Sequence, residues 1–298
     1  MKNAVSISLG SDKRNKSVVI KLLNKQIRLE RIGTNGNEKE ADRLFTTLDG
    51  KVDAFGVGGI ALSIKVPWKS YPLRAGKKLI KGINKTPFTD GNGIQTVLES
   101  KVMQYVLSNL KGNIPVKKAF IVEGISRYGM IDSFFDTGFD CVLGDLMFAL
   151  GIPIAIRSRK GINRAAKILL PIVVQLPISM LYSTGESQNI VVPKYEKFYK
   201  EAAVIAGDWL YIKKHMPEDM DGKIIVTNTT TEEDVAFMRS RGISFLVTTT
   251  PVFEGRSFGT NAFEAALTAA AGMGRTLTYK EIDSIIEKEN IKPQIRKL

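Results

Sequence analysis

The chain has 298 residues, with 43 Lys and Arg against 30 Asp and Glu, and 44% of the residues are hydrophobic, which predicts about two domains with ordinary cores. The single Cys and single His exclude a disulfide framework and disfavour a zinc site or a Cys-His nucleophile pair. No apolar signal segment begins the chain, and no apolar run reaches the roughly 20 residues of a membrane span. We therefore expect a cytoplasmic protein with no membrane span and no metal.

The net charge of +13 is concentrated in two segments without acidic residues, 54–89 and 146–185. Such segments form either solvated helix faces or a cleft for an anion, and both interpretations stay open. The basic residues do not interleave with aromatic ones, so no nucleic acid partner is expected. The predicted partner is a small anionic metabolite. Docking of an acidic carrier protein on the two segments is a further alternative, and homodimer formation is left open.

The first half predicts a smaller mixed α/β domain over residues 1–112. Strands are predicted at 5–9, 18–23 and 26–32, a helix at 37–48, and a further strand that runs into the glycine-rich loop 56–59. Three glycines in this loop serve either a tight turn or a cradle for a ligand.

A Thr-Asp-Gly turn at 89–91 precedes a predicted helix from about 94 to 110. Asp90 in this turn is either a helix cap or a group that orients or deprotonates a substrate hydroxyl in a cleft between the two halves. A nearby lysine, Lys85 or Lys65, would hold such a carboxylate ionised and complete a catalytic pair.

From residue 113 onward, short apolar runs alternate with helical segments. Six runs have the length and composition of strands buried on both faces of a sheet, namely 119–123, 140–144, 152–156, 203–207, 223–228 and 244–249. The predicted fold class is therefore α/β, with a Rossmann-like doubly wound parallel sheet over 113–272 that follows the smaller mixed α/β domain. A C-terminal helix within 273–298 is expected to pack back on the body.

Ligands of doubly wound sheets bind at the carboxyl ends of the strands. The predicted cofactor-binding residues there are Gly124, Ser126, Arg127 and Gly129 after the first strand, Asp145 after the second, Arg157 and Arg159 after the third, Asn228 and Thr229 after the fifth, and Thr248 in the sixth. The predicted cofactor is NAD or NADP. The acid 21 positions after Gly124 suits the NAD ribose, whereas the two arginines suit the 2′-phosphate of NADP.

The turn at 89–93, the helix after it and the nucleotide-type domain resemble the shikimate/quinate dehydrogenases. The resemblance implies that Asp90 is the catalytic aspartate and that the segment 259–267 is the helix returning to the substrate domain. A second resemblance, to long-chain acyl-carrier-protein reductases, rests on 57–60 together with 90–92. The chain departs from the first family because its Asn-x-Thr-x-Pro-x-Lys motif is missing, and the glycines after the first strand are incomplete.

Two functions follow. The leading one is a dehydrogenase-like protein that binds NAD(P) and a small anionic hydroxy acid in an interdomain cleft and transfers a hydride. The alternative is a non-catalytic Rossmann-like binder or sensor of a phosphorylated or carboxylated metabolite, which the incomplete glycine turn and the missing lysine motif favour.

Three remaining features concern structure. Cys141 lies in a predicted buried strand and is expected to be a structural thiol. His215, in a basic segment without neighbouring acids, is expected to be exposed. The apolar stretch 162–182 contains two prolines, which predicts one bent helix or two short helices.

Overall fold

A computed structural model describes residues 1–177, 191–253 and 256–298. These residues form two compact units, each assembled from separated segments of the chain. Unit 1 consists of 1–94, 170–177 and 259–291, and unit 2 consists of 95–169, 191–253, 256–258 and 292–298. The domains predicted from the sequence, 1–112, 113–272 and 273–298, are each continuous in the chain. Each compact unit of the structure instead contains residues from both halves of the chain.

Helices and strands alternate along most of the chain. The helices are α1 Glu38–Leu48, α2 Arg74–Leu79, α3 Asn92–Leu110, α4 Tyr128–Asp136, α5 Asp145–Leu150, α6 Arg159–Val173, α7 Glu196–Glu201, α8 Trp209–His215, α9 Glu232–Ser240, α10 Thr260–Ala271 and α11 Tyr279–Lys288. The strands are β1 Lys2–Ser8, β2 Lys16–Leu22, β3 Lys25–Gly33, β4 Ala54–Gly58, β5 Ser63–Val66, β6 Lys69–Pro72, β7 Phe88–Thr89, β8 Lys118–Ile121, β9 Asp140–Leu143, β10 Val204–Ala206, β11 Ile224–Thr227, β12 Phe245–Thr248, β13 Val252–Phe253, β14 Arg256–Ser257 and β15 Gln294–Lys297. Among the helices of the described ranges, none is both long enough and apolar enough for a bilayer crossing.

Unit 1 contains a five-stranded sheet in the order β2-β3-β1-β4-β7, in which only β2 is antiparallel to its neighbour. The edge strand β2 alternates buried Val18, Ile20 and Leu22 with more exposed residues, as expected for one face on a core. The central strand β1 is buried from Ala4 to Ser8, because both of its faces are covered. The strands predicted at 5–9, 18–23 and 26–32 are confirmed.

Helix α10 lies so close to the strand ends of unit 1 that glycines are needed opposite it. A Cβ on Gly56 would lie 2.7 Å from the carbonyl oxygen of Asn261. Gly91 has a φ of +85°, and a Cβ there would lie 2.2 Å from the backbone nitrogen of Asn261. The Asn261 side chain also donates a hydrogen bond to Ser6 Oγ at 2.6 Å. Gly56 in the predicted glycine-rich loop therefore makes room for the first turn of α10.

Unit 2 contains a six-stranded sheet in the order β15-β12-β11-β10-β8-β9. Strands β8 to β12 are parallel, and β15 pairs antiparallel with β12. From β8 the chain goes to β9 on one side and then to β10 on the other, so the strand order reverses between β8 and β10. The α/β fold class with a Rossmann-like parallel sheet is confirmed.

The strand predicted at 152–156 is wrong. Only Ile156 makes a bridge, antiparallel, to Leu143 of β9, while Leu150, Ile152 and Ile154 are exposed. The sixth strand of the sheet is instead β15, which the sequence did not indicate because its burial is only partial. A short polar segment at a sheet edge lacks the continuous apolar pattern of a buried strand.

The core of unit 2 packs aromatic side chains from several elements, including Phe120, Tyr199 and Trp209. His215 belongs to this region and is only 7% exposed, so the prediction of an exposed histidine is wrong. Its ring stacks on Phe148 with centroids 4.8 Å apart, and Nδ1 lies 3.0 Å from the Val192 carbonyl oxygen. Cys141 is buried and free, as predicted.

The apolar stretch predicted at 162–182 begins as α6, which includes Pro171 in its last turn. Its residues from 178 onward lie outside the described residues, so the predicted bend or second helix there stays a prediction.

Candidate functional site

The candidate site is a cavity of about 210 Å³ within unit 1. Four separate parts of the chain line it: β5, the turn after β7, α10 and the segment leading into α11. An apolar cavity of about 150 Å³ holds one benzene molecule, so this volume suits a small metabolite. The polar side chains at its wall are Ser63, Lys65, Thr89, Asp90, Glu264, Thr276 and Tyr279.

Asp90 is fixed at the cavity wall by backbone hydrogen bonds. Its Oδ2 accepts from the Leu62 N–H at 2.7 Å, and its Oδ1 accepts from the Asn92 N–H at 3.1 Å. Each carboxylate oxygen retains acceptor capacity beyond one such bond. Asp90 is therefore a turn residue whose carboxylate lies at the cavity wall, and its predicted role toward a substrate hydroxyl stays a prediction.

Lys65 of β5, one of the two predicted partners of Asp90, lines the same cavity as Asp90. Its Nζ lies 5.1 Å from the ring centroid of Tyr279, within the range of a cation–π contact. The Tyr279 hydroxyl donates to Asn92 Oδ1 at 2.9 Å, which fixes the ring under the ammonium group.

Lys85, the other predicted partner of Asp90, is exposed and is not among the residues that line the cavity. Its backbone N–H donates to the Asp49 carboxylate at 3.1 Å. Three consecutive backbone N–H groups, those of residues 84–86, donate to Asp49 and hold the pKa of this acid at about 2 although burial acts in the opposite direction. The segment around Lys85 is thus a capped turn.

Sequence reasoning missed Glu264 and Tyr279 as cavity residues. Glu264 is the one ionisable side chain of α10, a helix otherwise made of Ala, Thr, Asn, Phe and Leu, and it is 2% exposed. A lone acid in an apolar helix is a usable signal, since fully buried acids are rare unless paired. Tyr279 gives no comparable signal because an exposed tyrosine in an amphipathic helix is ordinary.

The turn after β8 in unit 2 was predicted to hold the pyrophosphate of a dinucleotide. In the structure the N–H groups of Gly124 and Ile125 donate to Asp145 Oδ1 at 3.0 and 2.7 Å. Burial raises the pKa of Asp145 to about 6, against the lowering effect of these donors. The carboxylate thus occupies two of the donors that a phosphate would need, and the turn does not fit a pyrophosphate in this state.

Arg127 and Ser126 in the same turn are also engaged within unit 2. Arg127 is 4% exposed and contacts three acids, Glu99, Glu123 and Asp208. Ser126 donates to Glu123 Oε1 at 3.0 Å. Burial raises the pKa of Glu123 to about 7, with Asp208 adding to the rise and Arg127 opposing it. Because Glu123 and Asp208 follow β8 and β10, this ion cluster lies where the strand order reverses.

The other predicted cofactor residues are spread over unit 2. Gly129 is needed for packing, because a Cβ there would lie 2.8 Å from the Thr96 carbonyl oxygen. The remaining predicted residues are placed as follows: Arg157 by Asp140 at 3.7 Å, Arg159 by Asp132 and Asp136, Asn228 and Thr229 directly after β11, and Thr248 buried at the end of β12. Since the Ile156 bridge is antiparallel, Arg157 continues toward the amino end of β9, away from the Gly124 turn.

Within the described ranges, the structure contains neither a metal-binding cluster nor a reactive thiol. No three His, Cys, Asp or Glu side chains of these ranges are arranged to hold a metal ion. Burial raises the pKa of the Cys141 thiol to about 12, so this residue stays a protonated core side chain at neutral pH.

Two family models match the sequence. The model described as "Domain of unknown function (DUF8754)" matches residues 93–298, and the one described as "Domain of unknown function (DUF8753)" matches residues 3–90. No curated protein sequence matches the chain.

Similar solved structures include two malic enzymes and a sugar-binding protein. The Entamoeba histolytica malic enzyme is 12% identical over 87% of this chain and 65% of its own, with a TM-score of 0.31. The NAD-dependent malic enzyme of Thermotoga maritima is 12% identical over 96% and 84%, with a TM-score of 0.35. A galactofuranose binding protein is 13% identical over 98% and 99%, with a TM-score of 0.34.

Proposed function

This chain belongs to the family described as domain of unknown function DUF8754, and we propose that it binds a small polyhydroxylated carboxylic acid in the cavity of unit 1. One observation carries the proposal. Asp90 and Lys65, one of the two lysines that the sequence offered as its partner, line the same cavity together with Glu264 and Tyr279.

The wall of the cavity offers complementary groups for such a ligand. The Asp90 carboxylate accepts hydrogen bonds from ligand hydroxyl groups, and bonds of this charge-assisted kind are about twice as strong as neutral ones. The Lys65 ammonium group pairs with the ligand carboxylate. The cavity volume of about 210 Å³ limits the ligand to the size of a single ring or a short chain.

The charge of the cavity favours a carboxylate over a phosphate. Two acids, Asp90 and Glu264, line it against one lysine. A phosphate, with a charge of about −2 at neutral pH, would meet repulsion from both acids and attraction from only Lys65. A polyhydroxylated carboxylic acid matches this arrangement. Its hydroxyl groups donate to the two acids, and its single negative charge faces Lys65.

Hydride transfer with NAD(P) is the second candidate function, and the Rossmann-like strand order of unit 2 favours it. The turn after β8 favours the binding protein instead, because Asp145 already accepts from Gly124 and Ile125. The resemblance to the shikimate/quinate dehydrogenases that the sequence suggests belongs with this second candidate.

Isothermal titration calorimetry with quinate, shikimate and gluconate tests the proposed ligand class. We expect at least one of these probes to bind the wild-type chain and Lys65→Met to weaken that binding about ten-fold or more, since a hydrogen bond to a charged group contributes roughly 1.5–3 kcal/mol. Lys85→Met is the matched control and keeps wild-type affinity. The proposal is wrong if no probe binds, or if both lysine variants lose the same affinity.

Fluorescence titration with NADH and NADPH separates the two candidate functions. A binding protein leaves nicotinamide fluorescence unchanged up to millimolar cofactor. Saturable binding, together with growth of the reduced-nicotinamide absorbance band when the acid probe is mixed with the chain and the oxidised cofactor NAD+ or NADP+, establishes the dehydrogenase in its place. In that reaction the carbinol carbon of the probe gives its hydride to the nicotinamide and the hydroxyl proton goes to solvent.

A further inference from the structure

Glu264 lines the cavity, yet both of its carboxylate oxygens are bound by the protein. Its Oε1 contacts the Thr89 hydroxyl, and its Oε2 accepts from the Ile94 N–H at 2.8 Å. We propose that Glu264 is the positioning residue of the site: it ties the turn that carries Asp90 to α10 and so aims the Asp90 carboxylate at the ligand. This inference rests on the proposed ligand binding in unit 1.

The directions of the hydrogen bonds require a carboxylate at position 264. Thr89 Oγ accepts from the Gly91 N–H at 3.2 Å, so its own hydrogen is directed to Glu264 Oε1. Ile94 offers an N–H. Both partners of Glu264 are therefore donors, and only an ionised carboxylate has two acceptor oxygens to meet them. A glutamine has one, so either orientation of its amide leaves a donor facing a donor.

The neighbouring glycine leaves the space that this carboxylate occupies. A Cβ on Gly93 would lie 2.9 and 3.0 Å from the two Glu264 oxygens and 2.5 Å from Ile282 Cδ1 of α11. The Asp90 turn, the start of α3 and α10 are thus packed around one acid. The Glu264 contacts with Thr89 and Ile94 therefore act on the two sides of the Asp90 turn, in addition to the hydrogen bonds that Asp90 itself accepts.

The charges that face Glu264 come from two other elements of unit 1. Burial raises the pKa of Glu264; the hydrogen bonds from Thr89 and Ile94 lower it, Asp90 adds to the rise and Lys65 opposes it. Tyr279 lines the same cavity from α11. Protonation of Glu264 would remove one of the two acceptor oxygens that hold Thr89 and Ile94, so we expect affinity to fall as the pH falls through this raised pKa.

The test uses the full chain and one acid probe that binds it, quinate in the first instance. Glu264→Gln is expected to weaken binding about ten-fold or more and to remove the pH dependence of the dissociation constant between pH 5 and 8. Thr268→Val is the matched control, because Thr268 lies one turn further on α10, is buried, and its hydroxyl has no hydrogen-bond partner. It keeps wild-type affinity and the wild-type pH profile.

A second pair of variants keeps the inference testable if Glu264→Gln does not fold. Thr89→Val removes the donor to Glu264 and is expected to weaken probe binding. Thr89→Ser keeps the hydroxyl donor and is expected to bind the probe with wild-type affinity. Equal affinities of the valine and serine variants, or a Glu264→Gln variant with the affinity and pH profile of the wild type, overturn the inference while ligand binding stands. Absence of probe binding by the wild-type chain overturns the proposed function and this inference with it.

Discussion

Arg127 donates a hydrogen bond to Glu99 in the interior of unit 2, and almost none of either side chain is accessible to solvent. The same guanidinium group also contacts Glu123 and Asp208 at 2.9 and 3.3 Å. The Arg127 guanidinium group thus pairs with three acids at the point where the strand order reverses, which is where a Rossmann-like sheet usually binds its ligand. The cluster makes Arg127 a structural residue of unit 2.

Replacing Arg127 with methionine is expected to destabilise the chain by about 3–5 kcal/mol, because the substitution leaves buried acids without their counter-charge. Arg157→Met is the control. Arg157 is 49% exposed and lies 3.7 Å from Asp140, so its loss is expected to cost less than about 1 kcal/mol. Urea unfolding followed by circular dichroism measures both. Similar midpoints for the two variants would contradict a structural role for Arg127.

Replacing Asp145 with asparagine is expected to stabilise the chain at high pH. Burial raises the folded-state pKa of Asp145 to about 6, above the roughly 3.9 of an unfolded chain. The stabilisation that protonated Asp145 gives is therefore complete below about pH 4 and is lost as the pH rises through 6. Asparagine keeps one acceptor oxygen for the N–H groups of Gly124 and Ile125 and carries no charge.

We expect Asp145→Asn to gain on the order of 1–2 kcal/mol at pH 8 and little at pH 4.5. Urea unfolding at the two pH values measures the difference. A variant that is less stable than the wild type at pH 8 would contradict this prediction and show that the turn needs the ionised carboxylate. The ionised carboxylate is also the form that would bind a ribose.

His215 is expected to make stability fall on acidification. Burial lowers its pKa, with Lys194 and Lys214 adding to the effect and the contact with Val192 opposing it. A lowered folded-state pKa gives stability that is present above the unfolded value of roughly 6.5 and is lost as the pH falls below it. His215→Phe keeps a ring to stack on Phe148 and removes the titration. The slope of unfolding free energy between pH 7 and 5 should be smaller in this variant, and an unchanged slope would assign the acid sensitivity to other groups.

A Cβ at position 91 is expected to disrupt unit 1. Gly91→Ala forces a Cβ to 2.2 Å from the Asn261 nitrogen at a φ of +85°, so we expect a loss of more than about 3 kcal/mol. Gly222→Ala is the matched control, since its φ is +72° and no atom lies within 4 Å of the added Cβ. We expect Gly222→Ala to lower the free energy of unfolding only by the strain of a left-handed backbone conformation, about 1–2 kcal/mol. Thermal unfolding of both variants separates close packing from backbone strain.

The fold class was predictable from sequence because buried parallel strands are continuous apolar runs. The strands β8 and β11, for example, consist almost entirely of Ala, Phe, Ile and Val. The same rule failed at 152–156, because an exposed apolar segment beside an edge strand has the same composition as a buried strand. It also failed at β15, whose pairing with β12 depends on the backbone and leaves little apolar pattern.

The candidate site was predictable only in part. Asp90 carries a local signal, a Thr-Asp-Gly turn before a helix, and Lys65 lies close enough in sequence to be considered with it. Glu264 and Tyr279 reach the same cavity from more than 170 residues away in the chain, and spacing gives no information about such contacts. His215 was misjudged for the same reason, because its neighbours Phe148 and Val192 are distant in sequence.

The discontinuous make-up of each unit has a consequence for biosynthesis. Helix α10 covers β1, β3 and β4 of unit 1, yet it is translated some 200 residues after them, and β15 completes the sheet of unit 2 later still. While the ribosome is still elongating the chain, the apolar face of the first sheet lacks its cover. Neither unit is complete until α10 and β15 have been synthesised, and incomplete folding units that expose apolar surface and unpaired strand edges are prone to aggregate.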